Sequence, residues 1–534
     1  MVAEMTLGNV PVVVDFDERR VDALFTEFDQ CQLPGAAVGI AINRRPVYRK
    51  GFGLASMEIP FPLTPSMRMR IGSTTKHFTC LAFMLLCEEA RASLDAGIRE
   101  YLPELHPVVS KATPRQLMGH QSGLRDVQDI AWQFSGTGHV IPTDDLLALY
   151  REIDDVNGPP GMAWIYNNGG YIILGAVIER ISGLSLEEFF RRRIFEPAGM
   201  CDTLLRRNDN DFVPNSATQH MTRLGGGYDR HYLGTLAGDA GMVSTVDDLL
   251  RWLSHMANPT VGTPATWEVM RAPQRLSNGV STGYGLGLRT ECYRGVETVS
   301  APGGVLGGNS QVLKVPEVGL DLVVLVNRHD VSAIALGQKI LDTCLMGLPP
   351  VSEPVRGPRV TGSFQSPITG RVVQLYIRNE QQIASIDGFD LPVVNDGSGS
   401  LQAIPSLSHI RQSIVLLSSR ERPRSIRLND FGNLDDMIAL GSVEPSDSKR
   451  IMGHYRSTTT QSEVEIRLTQ TGPRVYVHGR FGKLEYDLEC VAEGIWRAMP
   501  IDWVQGGILS FDSNYSGFSF FSQRTWALRF QKME

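Results

Sequence analysis

Ser73-Thr-Thr-Lys76 stands directly before the apolar segment HFTCLAFMLLC, His77–Cys87. The apolar run predicts a buried helix that begins near the serine. Residues three positions apart lie on one face of a helix, so the hydroxyl and the amine are expected to come within reach of each other. An uncharged lysine amine there can accept the hydroxyl proton, which makes Ser73 a nucleophile with Lys76 as its base.

The Ser-x-x-Lys pattern is too short to carry an assignment by itself. Ser446-Asp-Ser-Lys449 also matches it, within a polar segment that offers no such mechanism. A single match is more often accidental than functional. Whether the match at Ser73 is functional therefore depends on other parts of the chain.

A second polar group lies in Tyr166-Asn-Asn-Gly-Gly170, just before the helically spaced segment Tyr171–Ile181. A tyrosine beside a deprotonated lysine can relay a proton to a leaving group. The side chain of Asn168 can hold a substrate carbonyl. The structural alternative for this segment is a tight turn with a core tyrosine.

The third segment is Ser300-Ala-Pro-Gly-Gly-Val305. Neighbouring glycines in a strand often mark a place where a ligand or another chain approaches the backbone closely. Gly303, Gly304 and Val305 are therefore candidate substrate-binding positions. The structural alternative is a glycine-rich hairpin.

These three segments together carry a resemblance that none carries alone. Their order and spacing are similar to those of the serine β-lactamase and penicillin-binding-protein superfamily, and within it the chain most resembles the bacterial D-aminopeptidases. That family has a catalytic domain and two antiparallel β-barrels, so the likeness spans nearly the whole chain. Three flanking segments agree with it: Gln121–Leu124, Arg192–Met200 and Gly238–Gly241.

The resemblance implies a serine hydrolase that acts through a covalent acyl-enzyme. Ser73, Lys76 and Tyr166 are its expected catalytic residues, and the backbone N–H groups of Ser73 and Val305 are expected to bind the oxyanion. The implied substrates are short peptides, amides or esters with a D-residue at the free amino end. β-Lactams as inhibitors and a homodimer are implied as well, and no cofactor or metal is expected.

In the D-aminopeptidase family, an extension from the last barrel lines the active site and helps to select a free amino end. By position, Pro500–Gln505 corresponds to a shortened form of that loop. Asp502 and Trp503 are therefore candidate substrate-binding residues, with Asp502 available to an ammonium group.

One position departs from the family pattern. Pro302 stands where the D-aminopeptidases have a histidine, and a proline ring neither donates a proton nor titrates. Acylation is expected to survive this change, whereas substrate preference or deacylation is expected to differ. Two alternatives stay open: an esterase, DD-peptidase or acyl-transferase of different specificity, and a catalytically weak ligand-binding or scaffold homologue.

The fold class follows from patterning together with the resemblance. Residues 1–347 alternate β-like and helical segments, which predicts an α/β (α+β) β-lactamase-like catalytic domain. A stretch rich in proline and glycine, Leu345–Val360, predicts a linker. Short alternating strands then predict two small antiparallel β-barrels, residues 357–444 and 450–534.

An internal repeat supports the two barrels. Val360–Ser366, which leads into Val372–Ile377, resembles Ile451–Ser457, which leads into Val464–Leu468. A period of about 90 residues suits one small barrel per repeat. Because only a few positions agree, chance similarity is the alternative.

Composition excludes several functional classes. Hydrophobic residues make up 42% and charged residues 20% of the 534, which is typical of a globular chain of two or three domains. With a net charge of −7 and no Lys/Arg-rich run, nucleic acid is not an expected partner. The longest apolar runs, Leu81–Leu86 and Leu322–Val326, are far shorter than the roughly 20 residues that span a bilayer. The N-terminus shows no secretory signal, which predicts a cytoplasmic protein.

The sequence gives weaker support to two other kinds of hydrolase, the α/β-hydrolases and the zinc hydrolases. Gly279-Val-Ser-Thr-Gly283 matches the α/β-hydrolase pattern, but that motif requires a strand before it and a helix after it, and here it lies in a turn-rich segment. The eleven histidines show no zinc-ligand spacing. Seven scattered cysteines indicate reduced thiols rather than a disulfide framework.

Overall fold

The computed structural model describes eleven stretches of the chain. These are residues 11–29, 32–136, 141–223, 226–230, 234–350, 359–397, 399–404, 412–418, 423–441, 448–501 and 505–534.

The first 350 residues are built on a seven-stranded antiparallel sheet. Its strands lie in the spatial order Arg289–Tyr293, Val296–Ser300, Gly308–Val315, Leu320–Val326, Ala36–Ile42 and Arg45–Phe52, and the short strand Gly303–Val305 pairs with Gly308–Val315. Ala36–Ile42 and Arg45–Phe52 form an antiparallel hairpin at one edge of the sheet. Strands from the two ends of this region, Ala36–Ile42 and Leu320–Val326, are neighbours.

Strands Ala36–Ile42 and Leu320–Val326 are buried on both faces, which explains the apolar runs Ala36–Ile42 and Leu322–Val326. In Leu320–Val326, alternate residues belong to two separate cores. On one face Leu322 and Val324 pack in the core that includes helix Ala333–Cys344. On the other face Val323 and Leu325 pack in the core that includes helix Val246–Ala257.

Helices and short strands surround this sheet. The α-helices are Glu18–Ala23, Thr75–Glu88, Pro107–Ser110, Pro114–Met118, Val127–Ser135, Thr143–Glu152, Gly169–Ser182, Leu186–Phe190, Glu196–Ala198, Val246–Ala257, Pro264–Arg271 and Ala333–Cys344, with a π-helical turn at Arg191–Phe195 and 3₁₀ turns at Gly72–Thr74, Ile98–Glu100, Pro316–Val318 and Ser448–Ile451. The short strands are Val13–Val14, Leu54–Ser56, Phe61–Pro62, Met69–Arg70, Leu204–Leu205, His220–Thr222, Tyr228–Arg230, Met242–Ser244 and Leu345–Met346.

Two closed eight-stranded antiparallel barrels follow, so the prediction of two β-barrels is confirmed. The first barrel comprises Gly362–Gln365, Val372–Arg378, Gln381–Ile386, Phe389–Asn395, Ser400–Ala403, Gln412–Leu416, Ser425–Asp430 and Asn433–Ala439. The second barrel comprises Gly453–Arg456, Glu463–Thr469, Gly472–His478, Lys483–Ala492, Ile495–Pro500, Gly507–Phe511, Gly517–Phe521 and Leu528–Lys532.

The sequence repeat corresponds to equivalent strands of the two barrels. Their first strands begin at Gly362 and Gly453, and their second strands at Val372 and Glu463, so one constant offset relates both pairs. Phe364 and Tyr455 are the fully buried aromatic residues of the two first strands. Period-two burial along each strand fills a small barrel interior with apolar side chains.

The second barrel is fastened to the catalytic domain by a connection that we call the docking loop, residues 522–527, between strands Gly517–Phe521 and Leu528–Lys532. Arg125 Nη1 donates to the carbonyl of Trp526 at 2.8 Å. Asn157 Nδ2 donates to the carbonyl of Arg524 at 2.7 Å, and its Oδ1 accepts from Trp526 N at 3.0 Å. These backbone contacts fix the loop against the domain that carries Ser73.

No single helix among the described residues is long and apolar enough to cross a membrane. The bent pair Gly169–Ser182 and Leu186–Ala198 meets that test only when the two are taken together, by length and composition.

Candidate active site

Ser73 lies in the 3₁₀ turn Gly72–Thr74, which leads directly into helix Thr75–Glu88. Residues Thr75 to Leu86 of that helix are all buried, so the helix is held by packing around its whole circumference. The turn is anchored to the third predicted segment, because Thr74 Oγ1 donates to the carbonyl of Ala301 at 2.6 Å. Ser310 Oγ donates to the carbonyl of Ile71 at 2.8 Å and holds the same turn from the sheet.

Close backbone approach explains two of the glycines. A Cβ on Gly303 would lie 1.9 Å from the carbonyl oxygen of Ile71 and 2.8 Å from Ser73 N. Gly72 has a φ of +54°, and its Cβ would lie 2.7 Å from the carbonyl oxygen of Gly304. Only glycine permits this contact between the turn Gly72–Thr74 and strand Gly303–Val305.

Lys76 is 1% exposed, and its amine has three polar neighbours. Its Nζ lies 3.2 Å from Ser73 Oγ, 2.7 Å from Asn168 Oδ1 and 2.8 Å from the carbonyl oxygen of Asp239. The rings of Tyr166 and Tyr171 pack against it. This environment fixes the amine beside the serine hydroxyl.

Tyr166 completes the group, because its hydroxyl donates to Ser73 Oγ at 2.5 Å. The residues on both sides of it are held by His120. Ile165 N donates to the His120 carbonyl at 2.9 Å, and Asn167 N donates to His120 Nδ1 at 3.1 Å. The His120 ring also packs against the Tyr166 ring, with 4.4 Å between centroids.

A neutral imidazole is required for this arrangement, since Nδ1 must accept a hydrogen bond. Burial, reinforced by the positive charges of Arg289 and Arg524, holds the pKa of His120 far below its ordinary value of 6.5. His120 is therefore a positioning residue for Tyr166 that stays uncharged at neutral pH.

Asp126 sets the start of helix Gly169–Ser182. Its Oδ2 accepts from Asn168 N and its Oδ1 from Gly169 N, each at 2.9 Å. The same Oδ1 accepts from Gln128 N at 3.1 Å and caps helix Val127–Ser135. One carboxylate thus places the backbone of Asn168, whose side chain then reaches Lys76.

Ser73, Tyr166, Asn168, Gly303 and Val305 all line one cavity of about 670 Å³, as does Gly304. The structure therefore brings every described candidate residue together. Lys76 lies directly behind Ser73. Asp502 and Trp503, the candidates in the last barrel, lie outside the described residues.

Both barrels contribute to the wall of this cavity. The residues from the first barrel are Phe389, Gln412, Asp430 and Phe431, and those from the second are Gln505, Gln523 and Arg524. Phe431 stacks on Trp164 with 4.0 Å between ring centroids. The barrels therefore shape the substrate space next to Tyr166.

An ionic cluster at the end of the first barrel holds Asp430 at the cavity. Arg371 is fully buried, with Nε donating to Asp387 at 2.6 Å and Nη1 to Asp430 at 2.8 Å. Gln412 Nε2 donates to the other Asp430 oxygen at 2.7 Å. Burial raises the pKa of Asp387, although the charge of Arg371 opposes that rise.

Two features of the other hydrolase classes, a metal-ligand cluster and the α/β-hydrolase motif, can be compared with the described residues. Within the described ranges, no group of three or more His, Cys, Asp or Glu side chains could hold a metal ion. Gly279–Gly283 lies in a loop without a preceding strand or a following helix.

With this geometry established, comparison with known proteins identifies the family. A family model described as Beta-lactamase matches residues 21–344, more than half of the chain. The chain belongs to the beta-lactamase family. D-aminopeptidases from Brucella canis and Brucella anthropi are each 26% identical over 477 residues, covering 87% of this chain and 87% and 86% of their own lengths.

Solved structures show the same fold. An octameric penicillin-binding-protein homologue from Pyrococcus abyssi has a TM-score of 0.58 and 21% identity, covering 79% of this chain and 100% of its own. The D-amino acid amidase from Ochrobactrum anthropi SV3 has a TM-score of 0.52 and 21% identity, covering 61% of this chain and 98% of its own. The predictions of a β-lactamase-like fold and of a serine hydrolase of the penicillin-recognising type are confirmed.

Several residues that build the site of this beta-lactamase-family chain were not singled out in the sequence. They are His120, Asp126, Asp239, Arg289, Asp430, Phe431 and Arg524. His120 directly precedes the family-like segment Gln121–Leu124. That position is the one feature of the sequence that could have indicated a role for His120 in the site. The residues from the barrels have no local pattern that links them to Ser73.

The docking loop also contacts Asp129, a buried carboxyl group of helix Val127–Ser135. Ser522 Oγ and Thr525 Oγ1 donate to Asp129 Oδ2 at 3.1 and 3.0 Å. Burial raises the pKa of Asp129 from 3.8 to about 6. The charge of Arg524 and these two hydrogen bonds oppose this increase in pKa, whereas the nearby Asp126 carboxylate adds to it.

We expect Asp129 to make the free energy of unfolding fall as the pH rises from about 4 to about 6. In that interval the folded chain keeps a proton that the unfolded chain has lost, so ionisation costs the folded state about 3 kcal/mol in total. In Asp129→Asn this part of the pH dependence should disappear when denaturant unfolding is measured at pH 4, 5, 6 and 7. Asp144→Asn, an exposed carboxylate on helix Thr143–Glu152, is the matched control. An unchanged slope in Asp129→Asn would contradict the assignment.

Proposed function

We propose that this chain is a hydrolase of the D-aminopeptidase type, which releases an N-terminal D-residue from short peptides, amides or esters through a Ser73 acyl-enzyme. The observation that carries the proposal is the contact of Ser73 Oγ with both Lys76 Nζ and Tyr166 Oη, at 3.2 and 2.5 Å, at the wall of a 670 Å³ cavity. Inhibition by β-lactams and a homodimeric assembly belong to the same proposal.

In the proposed mechanism Lys76 acts as an uncharged amine, which has two N–H donors and one lone pair. The two N–H groups donate to Asn168 Oδ1 and the Asp239 carbonyl, and the lone pair faces Ser73 Oγ. Its lone pair is then free to accept the proton of Ser73 as the oxygen attacks the substrate carbonyl. Tyr166, already donating to Ser73 Oγ, is placed to pass a proton to the leaving amine.

The remaining roles fall to backbone groups and water. The N–H groups of Ser73 and Val305 are the proposed donors to the oxyanion, and Asn168 orients the substrate amide. Water then attacks the ester, with Lys76 and Tyr166 returning the protons. Pro302 supplies no proton to either half-reaction, so these two side chains carry all the proton transfer.

The stereochemical preference rests on the D-aminopeptidases of Brucella, which match 87% of the chain. We expect the wild-type protein to hydrolyse D-alanine p-nitroanilide with a kcat/KM at least about 100-fold above that for L-alanine p-nitroanilide. Release of p-nitroaniline measures both rates directly. The N-acetylated D-substrate is the control, because blocking the free amino group should lower kcat/KM.

Two outcomes would contradict this proposal. Equal kcat/KM values for the two stereoisomers would contradict the proposed preference for a D-residue. A higher kcat/KM for the N-acetylated substrate would contradict the proposed requirement for a free amino end.

A further inference from the structure

Arg524 is presented to the reaction centre by the docking loop. The loop is tied to the catalytic domain at Arg524 itself and at Trp526, through Asn157 and Arg125. Its guanidinium lies 4.8 Å from the centre of the Tyr166 ring. The side chain is 17% exposed and lines the same cavity as Ser73. Arg524 is therefore held in place before any substrate binds.

The guanidinium has hydrogen-bonding capacity that the described part of the chain does not use. Its Nε and Nη1 atoms are buried and donate no hydrogen bond to any described residue. Buried donors of this kind are rare in folded proteins, because each costs the desolvation of a polar group. A charged donor in a ligand-sized cavity is expected to receive its partner from the ligand.

Neighbouring carboxylates supply charge to Arg524 but no hydrogen bond within the described residues. Asp126 forms an ion pair with Arg524, but its Oδ2 lies 3.6 Å from Nη1, beyond hydrogen-bond distance, and this carboxylate already accepts three backbone N–H groups. Asp430 is bound by Arg371 and Gln412. Asp330, also on the cavity wall, is bound by Arg328 through two hydrogen bonds.

We propose that Arg524 is a binding residue for a carboxylate group of the substrate. This inference rests on the proposed function and narrows its substrate class to D-peptides that carry a negative charge near the scissile bond. The planar fork of a guanidinium matches a carboxylate with two parallel hydrogen bonds, which a neutral amide cannot reproduce. The carboxylate comes either from the C-terminus of a short peptide or from an acidic N-terminal D-residue.

Equilibrium binding to the Ser73→Ala protein separates these sources. Calorimetry compares D-alanyl-glycine with D-alanyl-glycinamide for a C-terminal carboxylate, and D-glutamyl-glycinamide with D-glutaminyl-glycinamide for an acidic side chain. One of the two carboxylate peptides should bind about 10- to 100-fold more tightly than its neutral partner. That preference should disappear when Arg524→Met is added.

Two further variants control for structure. Arg524→Lys keeps the charge and should retain part of the preference. Arg529→Met removes an exposed arginine of the next strand and should retain all of it. Thermal unfolding of each variant confirms that it is folded before its Kd is compared.

The inference is overturned if neither carboxylate peptide binds more tightly than its neutral partner, or if Arg524→Met keeps the preference. Absence of measurable binding by all four peptides overturns it as well. Failure of the proposed function is read separately, from the turnover of D- and L-alanine p-nitroanilide by the wild-type protein.

Discussion

The Ser73→Ala protein should hydrolyse D-alanine p-nitroanilide at least about 10⁴-fold more slowly than the wild-type protein. The substitution removes the only oxygen that contacts both Lys76 Nζ and Tyr166 Oη within the described site, so no acyl-enzyme can form. Loss of a catalytic serine has an effect of this size or larger in serine hydrolases generally. The readout is kcat at saturating substrate.

A motif-matched control separates this effect from a general loss of structure. Ser446→Ala changes the second Ser-x-x-Lys match of the chain and should leave kcat within about 2-fold of the wild type. The account is wrong if Ser73→Ala retains more than a tenth of the wild-type kcat while the protein remains folded.

Lys76→Met is expected to lower kcat about 10³- to 10⁴-fold. The methionine fills a similar volume but cannot accept the Ser73 proton, and general-base catalysis accounts for a factor in this range. It also leaves Asn168 Oδ1 and the Asp239 carbonyl without the donor they share. Single-turnover acylation rates measured with the same substrate assign the loss to the first half-reaction.

Lys111→Met is the control for this second variant, because Lys111 is exposed and outside the site. It should retain wild-type kcat. A Lys76→Met protein that acylates within about 10-fold of the wild-type rate would show that another group accepts the serine proton.

The contact between Ser73 and Lys76 and the buried strand of the central sheet could be predicted from sequence because each has a local signature. Ser73 and Lys76 are one helical turn apart, and Leu322–Val326 is one apolar run because both faces of that strand are buried. The two barrels could be predicted because similar segments, about 90 residues apart, begin each of them. The resemblance to a known superfamily then linked Tyr166 and the glycine strand to Ser73.

Contacts between distant segments could not be predicted in this way. Arg524 and Tyr166 meet only because the docking loop is fastened to Arg125 and Asn157, which no local periodicity indicates. Phe431 reaches Trp164 through the docking of a whole barrel. Such residues depend on the relative placement of domains, and a single sequence carries no pattern for that placement.

The same reasoning explains why Pro302 does not disrupt the site. The third segment acts mainly through its backbone, since Gly303 must lie against Ile71 and Ser73 and Thr74 bonds to the carbonyl of Ala301. A proline before the glycines preserves that backbone path while removing a titratable side chain. We therefore attribute proton transfer to Lys76 and Tyr166 alone.

The most direct test of the central claim is intact-mass spectrometry after brief exposure to benzylpenicillin and, separately, to a D-alanine p-nitrophenyl ester. The account predicts a covalent adduct of the acyl mass on the wild-type protein, located by peptide mapping to Ser73 and absent from Ser73→Ala. An adduct on a different residue, or an unmodified wild-type protein that still turns over the ester, would contradict it.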